Sequence, residues 1–430
     1  VKQPLKVAIA GLGTVGAATV RLLQEEAGLL AARCGRPVTV TAVSARARDK
    51  DRGCDLSAVQ WFDDAVAMAR EADADLICEL IGGSDGVAKA TCEAAIAAGR
   101  HVVTANKALL AHHGHALATA AEAAGVSLNY EAAVAGGIPI IKALREGLAG
   151  NRVSRVYGIL NGTCNYILST MRESGRDFAD VLAEAQRLGY AEAEPSVDVD
   201  GFDAAHKLAL LTSLAFGTRV AFDQVFMEGI RHVSAMDIEF AEELGYRIKL
   251  LGIAQETERG IEQRVHPCLV RASAPIATVE DVFNAVVAEG HFVGRSVYEG
   301  AGAGAGPTAS AVVADILDIA AGRRCPTFGV PAEALRPVSV APMTNHRGAY
   351  YLRLMVLDQR GVFAEVAAAL RDADVSMETL IQRGRAPGEV VPVVMTLHDT
   401  VEANLRAALE RISAIGTVVE PATVIRIEPL

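Results

Sequence analysis

Aromatic side chains are scarce in this 430-residue chain, at 5% with a single tryptophan. Alanine is abundant instead, so helix surfaces are expected to pack closely. The seven cysteines, Cys34, Cys54, Cys78, Cys92, Cys164, Cys268 and Cys325, include no C-x-x-C pair and are odd in number. That spacing argues against a disulfide framework and fits a reducing compartment, where a buried cysteine is a small apolar residue. No lysine- or arginine-rich run offsets the net charge of −11, so a phosphate backbone would be repelled and nucleic acid is not an expected partner. The opening "VKQPLKVAIAGLG" has only a short apolar run that stops at glycines, which reads as neither a signal peptide nor a membrane span. A cytoplasmic protein without membrane contact is the expectation. The ten histidines form no H-x-x-x-H or H-E-x-x-H pattern. "AHHGH" (111–115) reads as a polar helix surface, and no transition metal is assigned.

The length calls for two or three domains, and 51% hydrophobic with 22% charged residues is the balance of a compact soluble chain. "LKVAIAGLGTVGAATVRLLQEE" reads as a buried strand, a glycine turn and an amphipathic helix. Strand-like runs follow at 38–45, 74–82, 101–105 and 127–134, with alanine-rich helical stretches between them. Such alternation predicts an α/β, doubly wound Rossmann-type domain over 1–132. From about Val153 longer alternating segments predict a mixed α+β region over 133–325, the expected catalytic and dimerisation domain. "GAGAGAGPTASAVVADILDIA" (300–320) resembles a linker but runs into a strong helix pattern, so about 305–322 is read as completing the first domain. The proline-rich, aperiodic stretch 326–347 is read as a linker. The remainder, 348–430, orders strand, helix, strand, strand, helix, strand, a ferredoxin-like βαββαβ unit of a size that suits an independent module.

"GLGTVG" (11–16) follows a strand and opens a helix, the context in which G-x-G-x-x-G binds a dinucleotide. Gly11 serves the tight turn, Gly13 the approach of the pyrophosphate and Gly16 close helix–strand packing. After the second strand, "VSARARDKDRG" puts Ser44 and Arg46 where an NAD-specific domain carries an acid. The basic cluster favours NADP and leaves NAD open. In "DVDGFDAAHKLALLTSLAFG" (198–217), Asp203 and Lys207 stand four residues apart, on one helix face that continues into Leu210, Leu211 and Leu214. Two charges aimed at an interior need a reason.

Four strings, "HVVTANKALL" (101–110), "AVAGGIPII" (133–141), "NGTCNYIL" (161–168) and "LGYAEAEPSVDVDGFDAAHKLALL" (188–211), closely resemble homoserine dehydrogenase. The resemblance covers nearly the whole chain and extends to a terminal module that resembles an ACT domain. It implies reversible NAD(P)-dependent reduction of L-aspartate 4-semialdehyde to L-homoserine, in threonine, methionine and isoleucine biosynthesis. By it, Lys207 is the acid/base with Lys107 as a second candidate. Asp203, Asp198 and Glu192 bind substrate, Glu192 through its amino group. Thr14, Val15, Lys107, Gly189 and Gly302 join the glycine turn at the cofactor. Glu131, Val134, Gly136 and Ile138 form a monovalent-cation site, such as for Na+, mostly through backbone carbonyls. In the module, Asp358 at a strand end and Gly361 at a helix start mark the place where an effector, threonine first, would bind; a module kept for subunit contacts is the alternative. A homodimer or homotetramer is implied. The rival readings are a non-catalytic amino-acid sensor on the same scaffold and a dehydrogenase of a related hydroxy amino acid.

Overall fold

Six short strands place their apolar residues in one parallel sheet: β1 (Leu5–Ala10), β2 (Val38–Ser44), β3 (Gln60–Phe62), β4 (Leu76–Glu79), β5 (His101–Thr104) and β6 (Leu128–Asn129). In the computed structural model, which describes residues 2–383 and 386–430, their order is β3-β2-β1-β4-β5-β6. That order reverses direction between β1 and β4, and the crevice at the carboxyl ends of the strands there is the ligand side of such sheets. The edge strand β3 is too short for its period to show in sequence. The last strand is shorter than the run 127–134 suggested. It stops after Asn129 because the chain turns into a 3₁₀ turn, Glu131–Ala133, that sends the Glu131 carboxylate inward.

The helix Ala305–Ala321 packs back onto this sheet. Its Val312, Val313, Ile316 and Ile319 share one core with Val7, Ile9, Val20, Leu23 and Leu30. The glycine–alanine stretch before it is therefore a turn into a buried helix.

The second sheet is made of β7 (Val153–Ile159), β8 (Phe226–Met227), β9 (Tyr246–Thr257), β10 (Gly260–Arg271), β11 (Phe283–Gly290), β12 (Gly294–Ala301), β13 (Arg347–Leu357), β14 (Met377–Gln382), β15 (Val390–Val401) and β16 (Thr423–Glu428). Its order is β12-β11-β7-β9-β10-β16-β13-β15-β14, with β8 beside β10. The C-terminal βαββαβ unit is there, with helices Val362–Asp372 and Glu402–Ser413 and strand order β16-β13-β15-β14. It is not free-standing: β16 pairs with β10 in parallel, Cys268 opposite Arg426 and Val270 opposite Glu428. Local sequence pattern reports that a strand exists and says nothing of a distant partner.

Buried charges close this seam. Arg264 of β10 pairs with Glu428 of β16 and with Glu262, which also accepts from His346 at 3.1 Å. Arg426 holds Glu402 at 2.9 Å and Glu228 at 2.6 Å. Arg353 and the Tyr351 hydroxyl donate to Asp237, at 2.7 and 3.0 Å. Nor is the stretch 326–347 slack. Phe328 is buried with its ring 5.5 Å from that of Tyr130, and bridges join Thr218 to Arg336 and Ile261 to Val340. Prolines and missing periodicity mark irregular backbone, which here is packed. Ending the chain near Arg336 would open the β10 edge and take Glu428 from Arg264, Arg426 from Glu228 and Arg353 from Asp237.

Asp237 also caps the helix Ala235–Glu243 in a capping box with Ser234. Asp237→Ala strands the Arg353 guanidinium, so it is expected to lower stability by about 3–5 kcal/mol. Urea denaturation of the full chain measures this; a loss below about 1 kcal/mol would mean the seam does not depend on that pair.

Candidate functional site

The glycine turn after β1 uses each glycine differently. Gly11 has φ of 96° and lies so close to β4 that a Cβ would sit 2.5 Å from the Leu80 carbonyl oxygen. A Cβ on Gly16 would meet the Gly11 oxygen at 1.9 Å, whereas Gly13 faces open space. The free face of Gly13, just before the helix Thr14–Glu25, is what a pyrophosphate needs. Ser44 closes β2, its carbonyl accepting from the Gly11 N–H at 2.8 Å, and Arg46 is exposed beyond it. Arg52, last of the basic run, is turned inward. It donates to the carbonyls of Leu12 (3.2 Å) and Lys50 (2.7 Å) and stacks 5.4 Å from the Trp61 ring. It shapes the loop, which leaves Arg46, exposed and without an ion pair among the described residues, as the first cation after β2.

A cleft of about 580 Å³ lies between the carboxyl ends of the first sheet and the second region. Its lining includes Val15, Lys107, Gly136, Asn161, Gly189, Asp198, Asp203, Lys207, Asn284 and Gly302. Asp203 and Lys207 lie in the first turns of the buried helix Phe202–Phe216. The Lys207 ammonium donates to Asp203 Oδ2 at 2.8 Å and to the Leu160 carbonyl at 2.6 Å. Lys107, first residue of the helix Lys107–Ala123, approaches Asp203 Oδ1 at 3.2 Å from across the cleft. Asn161 completes the set. Its amide nitrogen donates to Asp203 Oδ2 (2.8 Å) and Asp198 Oδ1 (2.7 Å), while its oxygen caps the helix Gly162–Ser174 at Cys164 N. Burial alone would raise the Asp203 carboxyl, but Lys207, Lys107 and Asn161 outweigh it and hold the group well below the usual range. Burial pushes Asp198 the other way, upward, and no cation lies within ion-pair distance of it among the described residues.

These contacts answer the question raised by the inward-facing pair. The sequence reading gives Asn161 no role, although an asparagine just before a helix is a capping signal. Glu192 stands apart: its side chain is exposed on the irregular loop after Gly189, outside the cluster. Neighbouring Glu194 caps the Ser196 N–H at 3.1 Å.

The Glu131 carboxylate accepts from the N–H groups of Ile141 and Lys142, 2.9 Å each, and burial beside Asp315 pushes it up to about 7. Both its oxygens are thereby engaged at the start of the helix Ile140–Lys142. Among the described residues the carbonyls of Val134 and Gly136 accept no hydrogen bond, and Ala135 and Gly136 between them have φ of 56° and 49°. Unclaimed oxygens in a strained turn suit a hard monovalent cation. A Cβ on Gly136 would lie 2.4 Å from the Gly302 carbonyl oxygen, so the two glycines pack directly. Of the described residues, His266, Cys268 and Glu428 bring ligand atoms within 4.8 Å, but Arg264 already holds Glu428 and lies 3.0 Å from His266 Nε2. That group is closed by a guanidinium. In the C-terminal module the Asp358 carboxylate accepts from Ala386 N at 2.7 Å, and Gly361, with φ of 97°, caps the helix Val362–Asp372. No helix of the described residues is long and apolar enough to cross a membrane.

Next to Lys207, the His206 ring stacks on Phe222 at 4.3 Å and meets His112 edge-on. Burial, then His112 and Lys107, push it down to about 4 from its ordinary 6.5. The folded state thus binds fewer protons than the unfolded one between those values, and stability falls as pH drops through that window. His206→Gln is expected to flatten the fall of Tm between about pH 6.5 and 4; an unchanged slope would place the acid sensitivity elsewhere.

Two family models match the chain: "Homoserine dehydrogenase, NAD binding domain" over residues 11–131 and "Homoserine dehydrogenase" over 139–317. A homoserine dehydrogenase of Neisseria gonorrhoeae is 45% identical over all of this chain and 99% of its own length. A solved homoserine dehydrogenase from Thiobacillus denitrificans superposes with a TM-score of 0.93 at 44% identity, covering 99% of this chain and 98% of that one. A hyperthermophilic archaeal homoserine dehydrogenase solved with NADPH has a TM-score of 0.62 at 27% identity, over 73% of this chain and 97% of its own.

Proposed function

The chain belongs to the homoserine dehydrogenase family, and from that premise we propose that Lys207 moves the proton of the reaction while Asp203 holds it in place. The enzyme interconverts L-homoserine and L-aspartate 4-semialdehyde with a nicotinamide nucleotide as hydride partner. The observation that carries the assignment is a count of donors. An ammonium has three N–H groups, and Lys207 spends two, on Asp203 and the Leu160 carbonyl, leaving the third for the cleft it lines. Lys249, another buried lysine, has three acceptors, in Asn165, Val279 and Glu280, and nothing left to offer.

A bound nicotinamide ring would supply the hydride acceptor for the carbinol carbon, or the hydride donor for the aldehyde carbon. In the reducing direction the Lys207 ammonium gives its free proton to the oxygen on which negative charge develops; in the oxidising direction the neutral Lys207 amine takes the hydroxyl proton and becomes the ammonium. Asp203 keeps the nitrogen oriented in both. Lys107, at 36% side-chain exposure and tied to the other Asp203 oxygen, is the second candidate and otherwise steadies the same charge. Asp198, carboxylate without a cation, suits the substrate ammonium. Glu192, assigned to that ammonium by resemblance, would join it through the loop after Gly189.

For the cofactor the proposal is NADP, with Ser44 and Arg46 beside the 2′-phosphate and Gly11, Gly13, Thr14, Val15, Gly16, Gly189 and Gly302 along the nucleotide. The carbonyls of Glu131, Val134, Gly136 and Ile138 would hold a monovalent cation such as Na+. The module is read as an ACT domain that takes threonine near Asp358 and Gly361, or else as a contact in a homodimer or homotetramer. The first alternative needs the Ala386 turn to release Asp358.

Lys207→Ala is expected to lower turnover by about 10²–10⁴ with cofactor affinity nearly unchanged; normal turnover would transfer the role to Lys107. Arg46→Ala is expected to weaken NADP more than NAD, by about 1–3 kcal/mol as a lost charge-assisted contact. Fluorescence titration with both nucleotides measures it, and equal losses would make Arg46 a bystander.

A further inference from the structure

Residues 228–231 form a strap that holds the active-site loop 195–200 from behind. On the outer side the Glu228 N–H donates to the Val265 carbonyl of β10 at 2.8 Å, and the Glu228 carboxylate receives Arg426 of β16 at 2.6 Å. On the inner side the Ile230 N–H donates to the Val199 carbonyl at 2.9 Å. Arg231 grips Asp200 through Nε (2.5 Å) and Nη2 (3.1 Å) and reaches Ser196 Oγ at 3.0 Å. Between them Gly229 touches the loop backbone directly: a Cβ there would lie 2.2 Å from the Val199 oxygen and 2.6 Å from the Asp200 Cα.

The loop so held is one short helical turn, Ser196–Val199, and its cleft-facing side chain is Asp198. From the front Asp198 is fixed by Asn161 at 2.7 Å, and its carbonyl lies 3.3 Å from Cys164 Sγ. The strap grips the residues on both sides of Asp198, and none of residues 228–231 lines the cleft. Its outer end is bonded to β10 and β16 at the seam.

We propose that Gly229 and Arg231 are positioning residues that set the depth of Asp198 in the cleft, and that Arg426, through Glu228, ties this setting to the C-terminal module. The proposal rests on the reading of Asp198 as the substrate-side acid. A displacement near 1 Å at a binding carboxylate is enough to change rates by up to about 10²-fold. With the anchoring contacts to the cofactor untouched, it falls on homoserine and spares the nucleotide.

The test compares steady-state kinetics of the full chain with Gly229→Ala, Arg231→Gln, Glu228→Gln and Asp198→Asn. Gly229→Ala pushes the loop forward, and Arg231→Gln loosens it without adding bulk, so folding trouble in the first leaves the second. Both are expected to raise the homoserine KM about tenfold or more, with the nucleotide KM within about twofold. Glu228→Gln, which keeps the strap but drops the charge toward Arg426, is expected to give a smaller rise of the same kind. An unchanged homoserine KM in Gly229→Ala and Arg231→Gln, with a raised one in Asp198→Asn, would overturn the strap as a positioning element. An unchanged KM in Asp198→Asn would overturn the reading of Asp198 instead, and with it the proposal. Equal rises for homoserine and nucleotide would make the strap a general structural support and overturn the assignment.

Discussion

The carboxylate of Asp203 is the constraint on which the rest of the cleft depends. Taking such a group out of water costs several kcal/mol unless opposite charge and hydrogen bonds meet it. Here the answer comes from three places at once: Lys207 on its own helix, Asn161 at the start of another helix of the second region, and Lys107 on the first sheet's side of the cleft. The Lys107 contact crosses from the nucleotide-binding region to the second region, which carries Asp198 and Asp203. One buried charge therefore both orients the Lys207 ammonium and links the two walls of the cleft. Moving either wall would leave it underpaired, so the fold and the chemistry share this requirement.

A second set of buried charges does different work at the seam between β10 and β16. The parallel pairing is short, and strands at a junction of two regions leave polar groups that must be met on both sides. Arg264, Arg353 and Arg426 meet them with planar guanidinium groups that satisfy carboxylates from two directions, as with Glu402 and Asp237. The C-terminal unit thereby becomes a continuation of the central sheet. Its β16 pairs with β10, whose Val265 carbonyl accepts from the Glu228 N–H of the strap behind Asp198.

The parts of this arrangement that sequence reveals are those encoded locally. The glycine turn was legible because each glycine has its own local cause, and the Asp203–Lys207 pair because a helix puts residues four apart on one face. The βαββαβ order of the terminal unit followed from periodicity. What stayed hidden depends on distant pairing or on loops. Asn161 bonds two acids from far along the chain. Arg52 looks like its basic neighbours until the Leu12 carbonyl and the Trp61 ring are placed around it. Glu192 lies in a loop whose course no period describes, and the shared sheet rests on β10 meeting β16. The packed stretch 326–347 misled because composition reports irregularity, whereas Phe328 and the bridges at Arg336 and Val340 decide mobility.

The two sets of buried charges also differ in what they leave over, and that remainder separates support from chemistry. At the seam the buried cations are spent: Arg264 uses its nitrogens on Glu262, Glu428 and His266, so the His266–Cys268–Glu428 grouping is closed by a guanidinium. Lys249 is spent in the same way. In the cleft the sums do not close. Among the described residues, Lys207 keeps a donor and Asp198 lacks an ion-paired cation. An unmet group inside a protein costs stability, and a donor and an acid left unmet around one cleft are what a ligand with a hydroxyl and an ammonium would satisfy. Burial and charge alone do not set the two lysines apart, since Lys249 has both. What differs is the N–H that Lys207 keeps unspent beside the cleft.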